Sequence, residues 1–84
     1  MTGHFVRSFG IAVRQTRMSL GWSQERLAER SDLDRSYVGE IERGTVVASL
    51  ATVSKLAQSL AVPASTLILR GEALASARPG QEAD

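Results

Sequence analysis

Cysteine is absent from this 84-residue chain, which excludes a disulfide framework, thiolate catalysis and a thiolate-held zinc site. Histidine occurs once, as His4, too few for an imidazole metal site. A serine nucleophile would need that histidine fixed in a core, and nothing near it in sequence would fix it, so His4 reads as an inert residue in a flexible start. The glycines form no phosphate-cradling loop. No apolar run approaches the roughly 18 residues of a membrane span, and the opening MTGHFVRSFG lacks a signal-peptide core. A chain this short makes one small domain without a cleft between domains. The expectation is a cytoplasmic protein that is not an enzyme and uses no cofactor or metal.

Net charge is also small. Ten Lys and Arg against nine Asp and Glu leave +1, so the chain is not a uniformly basic, nonspecific polyanion binder. The distribution is uneven. No acid precedes Glu25, whereas Arg7, Arg14 and Arg17 do, and beyond Arg70 the acids Glu72, Glu82 and Asp84 face a single Arg78. Positive potential is therefore expected in the N-terminal half, with a mildly acidic tail away from it.

What the chain does contain is the stretch SQERLAERSDLDRSYVGEIERG, from Ser23 to Gly44, which reads as two short helices around a tight turn. Ser23 can cap the first, with Leu27 and Ala28 facing a core; Asp34 can cap the second, whose Val38 and Ile41 repeat at helical spacing. This is the layout of a helix-turn-helix. The remaining face of the second helix holds Arg35, Ser36, Gly39, Glu40 and Arg43. A helix that lies in the major groove needs such a face, with an Arg, small residues for close approach and groups able to pair with base edges.

The apolar spacing predicts a first helix over about Val6 to Ser19, with Phe9, Val13 and Leu20 on one face, ended by Gly21 and followed by Trp22 as a core plug. The second helix is expected over about Gln24 to Arg30, and a turn of Ser31, Asp32 and Leu33, the last pointing inward, leads to the third over Arg35 to Arg43. Ser49 caps a fourth in which Leu50, Val53, Leu56, Ala57 and Leu60 recur, and Pro63 opens a short fifth through Leu69. The fold class is thus all-α, five helices in a domain over 5–70, with a flexible tail over 71–84 holding at most a frayed turn around Glu72 to Ala77.

In order along the chain stand Phe9-Gly10, Arg14, Arg17, the G-W-S-Q-E run at 21–25, Leu27-Ala28, Leu33, Tyr37, the I-E-R-G run at 41–44, Ser49-Leu50, Leu56-Ala57 and Leu60. With these the chain resembles the Cro/repressor-like, or Xre, helix-turn-helix proteins, a family with a lambda-repressor-like domain. The stretch LDRSYVGEIERG resembles the recognition helix of restriction-modification controllers. The resemblance implies a homodimer on a palindromic operator in double-stranded DNA. It implies base reading by Arg35, Ser36, Gly39 and Glu40, and phosphate contacts by Arg14, Ser23, Gln24, Tyr37 and Arg43. It also implies an internal salt bridge between Arg17 and Glu42, and a dimer contact through Leu67, Ile68 and Leu69. Plainer readings stand beside these: Arg17 or Arg35 as solvated bases, and Tyr37 as a core residue with an exposed hydroxyl. Glu40 departs from the pattern, because its charge repels phosphates unless it accepts from cytosine N4 or is held by a neighbouring Arg. Gly39 costs about 1 kcal/mol of helix stability relative to Ala. Val46, Val47 and Ala48 replace a polar link. The alternative function is an antitoxin or interaction module that sequesters a partner protein, through apolar surface around Ile68, Leu69 and Leu74.

Overall fold

A computed structural model describes residues 2–77, which form five helices and, among the described residues, no strand: α1 Thr2–Ser19, α2 Gln24–Ser31, α3 Arg35–Arg43, α4 Leu50–Leu60 and α5 Ala64–Ser76. The starts follow from the side chains just outside them. Ser23, Asp34 and Ser49 sit in extended backbone and accept from the amides of Arg26, Ser36 and Thr52, satisfying donors that a helix end leaves unpaired. The ends of α1 to α4 share one device, a residue of positive φ followed by an amide that reaches back across the last turn. Asp32, Gly44 and Ala61 occupy the left-handed position, and Leu33, Thr45 and Val62 donate to the carbonyls of Ala28, Glu40 and Ala57. Trp22 closes α1 in the same way by donating to Arg17, and Trp22, Leu33 and Val62 then fold onto the core.

Each helix contributes one stripe to that core. On α1 the buried residues Phe9, Ala12, Val13, Thr16 and Arg17 recur at helical spacing and face α3 and α5. Leu27, Val38, Ile41, Leu56 and Leu67 complete the packing from the other elements.

Several sequence expectations differ from the structure. The first helix begins at Thr2 rather than Val6, and the fifth runs to Ser76 rather than ending near Leu69, because each supports the other. Gly71 lets α5 approach the backbone of Phe9, where an added Cβ would stand 3.1 Å from Phe9 Cα, and His4 Nε2 lies 3.1 Å from the carbonyl oxygen of Ala75. His4 is therefore a helical residue at the α1–α5 contact, and tertiary packing overrides the weak local pattern of 71–76. The rest of the expected tail, 78–84, lies outside the described residues. Leu20 and Leu50 are exposed, the former in the turn after α1 and the latter as the first residue of α4, beyond the reach of the core. Ser31 belongs to α2, and its buried hydroxyl donates to Ser59 Oγ at 2.9 Å, joining α2 to α4.

Gly10 fixes how closely α1 crosses the end of α3. A Cβ there would press on the carbonyl oxygen of Ile41 and stand 2.8 Å from that of Glu42, both backbone atoms that cannot rotate away. Gly10→Ala is expected to cost about 1–3 kcal/mol despite its better helix propensity, lowering the Tm by about 5–20 °C. In the same thermal melt Gly3→Ala, whose methyl would meet only the end of Arg7 at 3.9 Å, should show no loss.

Candidate nucleic-acid interface

The amphipathic register of α3 decides which of its side chains remain available. Val38 and Ile41 are buried, and Glu42 is buried beside them. Arg35 and Ser36 in the first turn and Arg43 in the last are exposed, and Glu40 is half-exposed between them. The open face of the helix therefore carries two guanidinium groups, a hydroxyl and a carboxylate. Gly39 does not share that exposure: it is buried, with Arg43 Nη1 3.2 Å and Gln24 Oε1 3.6 Å from where its Cβ would stand. In place of the expected groove-facing glycine, Gly39 is a seat over which the Gln24 and Arg43 side chains lie. A side chain there would push them aside, which gives the glycine its reason.

The rear of α3 is tied to α1 through ionic groups. Arg17 Nε donates to Glu42 Oε2 at 2.7 Å and Nη2 donates to Glu42 Oε1 at 3.0 Å, a two-pronged pair with side chains 10% and 2% exposed. Arg17 Nη1 donates to the carbonyl oxygen of Trp22 at 2.6 Å, and Gln24 Nε2 donates to Glu42 Oε1 at 2.9 Å. No buried side-chain polar atom among the described residues lacks a partner. The network thus joins the end of α1, the start of α2 and the last turn of α3 in one set of bonds.

Gln24 is the first residue of α2, and its bond to Glu42 is a role that local sequence does not announce, since the partners stand 18 residues apart. Its amide nitrogen is engaged, and its oxygen lies over Gly39. Ser23 is exposed, with its hydroxyl oxygen accepting from the Arg26 amide at 3.0 Å. Tyr37 is half-buried against the core, with its hydroxyl 3.4 Å from Thr52 Oγ1. Arg14 is exposed on α1. The structure adds one basic cluster that spacing alone leaves unnoticed: Arg26 and Arg30, one turn apart on α2, place their guanidinium carbons 5.7 and 5.3 Å from the ring centre of Trp22.

Of the three residues expected at a dimer contact, Leu67 is corrected: it is fully buried in the core of its own chain and has no surface to offer. Leu69 is 62% exposed, and Ile68 lines an apolar groove of ≈ 220 Å³ together with Phe5, Val6, Val46, Val47 and Leu50. Val47 and Leu50, 71% and 85% exposed, form its rim. The apolar link 46–48 thus turns its side chains to this groove, where a polar link would leave none.

Among the described residues no helix is long and apolar enough to cross a membrane. The control protein C.BamHI of Bacillus amyloliquefaciens is 42% identical over 69 residues, covering 81% of this chain and 85% of that one. The solved structure of the restriction-modification controller protein C.AhdI from Aeromonas hydrophila is 45% identical with a TM-score of 0.73, covering 74% of this chain and 94% of that one. The HTH-type transcriptional regulator SutR of Escherichia coli is 37% identical over 65 residues, 77% of this chain but 36% of that one. A family model described as helix-turn-helix matches residues 13–67, and with these relatives it shows that the chain belongs to the Xre-like helix-turn-helix family.

Proposed function

We propose that this protein is a transcriptional regulator of the restriction-modification controller class, which binds a palindromic operator as a homodimer. The observation that carries the reading is the division of α3 into two faces. One is locked to the core by Val38, Ile41 and the Arg17–Glu42 pair, and the other is open and bears Arg35, Ser36, Glu40 and Arg43. A helix that presents Arg from its first turn, held rigidly from behind, suits the major groove, where Arg pairs with guanine O6 and N7. Gln24, Arg43, Arg14 and the hydroxyls of Ser23 and Tyr37 are the phosphate contacts of this reading, Gln24 aided by the partial positive charge at the start of α2. The likeness to C.BamHI and C.AhdI over most of their lengths supports the controller class.

One short recognition helix contacts too few bases for useful selectivity, so two copies are needed on half-sites about 34 Å apart. The groove rimmed by Val47 and Leu50, with Ile68 and Leu69 on α5, is the apolar surface that supplies the contact. At micromolar concentration without DNA the unmodified protein should sediment as a dimer, and on the DNA upstream of its own gene it should leave a footprint of two half-sites. The double change Leu50→Glu with Leu69→Glu, at exposed positions, should leave a folded monomer whose operator affinity falls by about 100-fold or more, as the second half-site no longer assists the first. A monomer in the unmodified protein, or an unprotected upstream region, contradicts the proposal.

A further inference from the structure

The carboxylate of Glu40 has the wrong sign for a phosphate, yet it stands on the open face of α3 between Arg35 and Arg43. Among the described residues it has no ion pair and no side-chain hydrogen bond. The one salt bridge there joins Arg17 to Glu42, and Glu40 takes part in bonding through its backbone carbonyl, which accepts from Thr45. Arg43, three residues on and the natural partner in a helix, instead lies over Gly39, with Nη1 3.2 Å from where a Cβ would be. The neighbour that could neutralise Glu40 is turned elsewhere.

We infer that Glu40 is a base-selecting residue that accepts a hydrogen bond from cytosine N4, so that each half-site carries a G·C pair beneath it; this rests on α3 being the helix that enters the major groove. An ionised carboxylate is acceptor-only. In the major groove, thymine presents O4 and guanine presents O6 and N7, all acceptors that repel it, while cytosine presents a donor. Adenine offers a donor at N6 but an acceptor beside it at N7, so it matches a carboxylate only in part. The residues that do match adenine with both a donor and an acceptor are missing from this face: the chain has no asparagine, and α3 has no glutamine. Gln24, which lies against α3, has one N–H of its NH2 group committed to Glu42 at 2.9 Å and its oxygen held over Gly39, so it is not free to offer a base the paired donor and acceptor. Arg35 supplies donors for guanine and Glu40 an acceptor for cytosine, and their five-residue separation, about 7.5 Å along the helix, sets them over different base pairs.

Selection of bound sequences from a pool of random duplexes, run with the unmodified protein and with Glu40→Ala and Glu40→Gln, tests this. Thermal melts first establish that both variants fold, as is expected for changes at a partly exposed position. The unmodified protein should select a palindrome with one invariant cytosine in each half. In Glu40→Ala that preference should fall by about 5- to 150-fold at that position alone, with binding to unselected DNA slightly tighter. Glu40→Gln, with a donor and an acceptor, should move the preference at the same position to adenine. A palindrome that survives unchanged in Glu40→Ala, or a cytosine kept by Glu40→Gln, overturns the role of Glu40 while leaving the regulatory reading intact. Selection of no common sequence by the unmodified protein overturns that reading, and this inference with it.

Discussion

Arg17→Ala and Glu42→Ala are each expected to destabilise the domain by about 3–5 kcal/mol, the largest single-residue losses outside its apolar core. The size follows from what each change strands. Without Arg17, the Glu42 carboxylate, 2% exposed, keeps one neutral donor, the Gln24 amide 2.9 Å away. Without Glu42, the Arg17 guanidinium, 10% exposed, keeps the Trp22 carbonyl oxygen as its partner. Neither remaining contact offsets the desolvation of a full charge. A small domain has about 5–15 kcal/mol in total, so either variant approaches the unfolding limit at physiological temperature. The double change removes both charges and should cost less than the sum of the singles. Urea titrations of the four proteins measure the coupling, and additive losses would show that the two side chains do not act as a pair.

The same pair marks where sequence reading succeeds and where it stops. The caps Ser23, Asp34 and Ser49 and the stop at Gly44 are legible because they act within a few residues, on the amides and carbonyls of their own helix. The core faces of α1 and α3 are legible because helical period leaves a local trace. The lengths of α1 and α5 were not, since residues 2–5 and 71–76 become helical by packing on each other across the whole chain. Exposure of Leu20 and Leu50 escapes for a related reason: a period assigns a face but not where the core ends. On the candidate interface, Arg35, Ser36 and Arg43 stand in the open as their spacing implies. Gly39 does not, because the side chains that cover it, Gln24 and Arg43, reach it from another helix and from the next turn. Leu67 shows the limit at the proposed dimer contact, where three consecutive apolar residues on one helix must point in different directions and the chain's own core takes the first of them.

The second large effect separates reading from holding. Arg35 stands in the first turn of α3 and is proposed to face a base edge, whereas Arg43, in the last turn beside Gln24, is proposed to face the backbone. Loss of a two-pronged guanine contact costs about 1–3 kcal/mol per half-site, so Arg35→Ala in a dimer should lose about 2–6 kcal/mol on the operator while binding random DNA almost as before. Arg43→Ala should weaken both kinds of DNA together and lower the slope of log affinity against log salt by about one unit for each lost phosphate contact.

The central claim, that the open face of α3 reads a specific DNA sequence, is tested most directly by a competition titration. The unmodified protein and Arg35→Ala are each bound to the footprinted upstream fragment, and scrambled duplex of the same length is added as competitor at several salt concentrations. The expected result is a strong operator preference in the unmodified protein that collapses toward unity in Arg35→Ala at every salt concentration, with melting temperature unchanged. An Arg35→Ala protein that keeps the full preference contradicts the assignment of α3 as the reading helix.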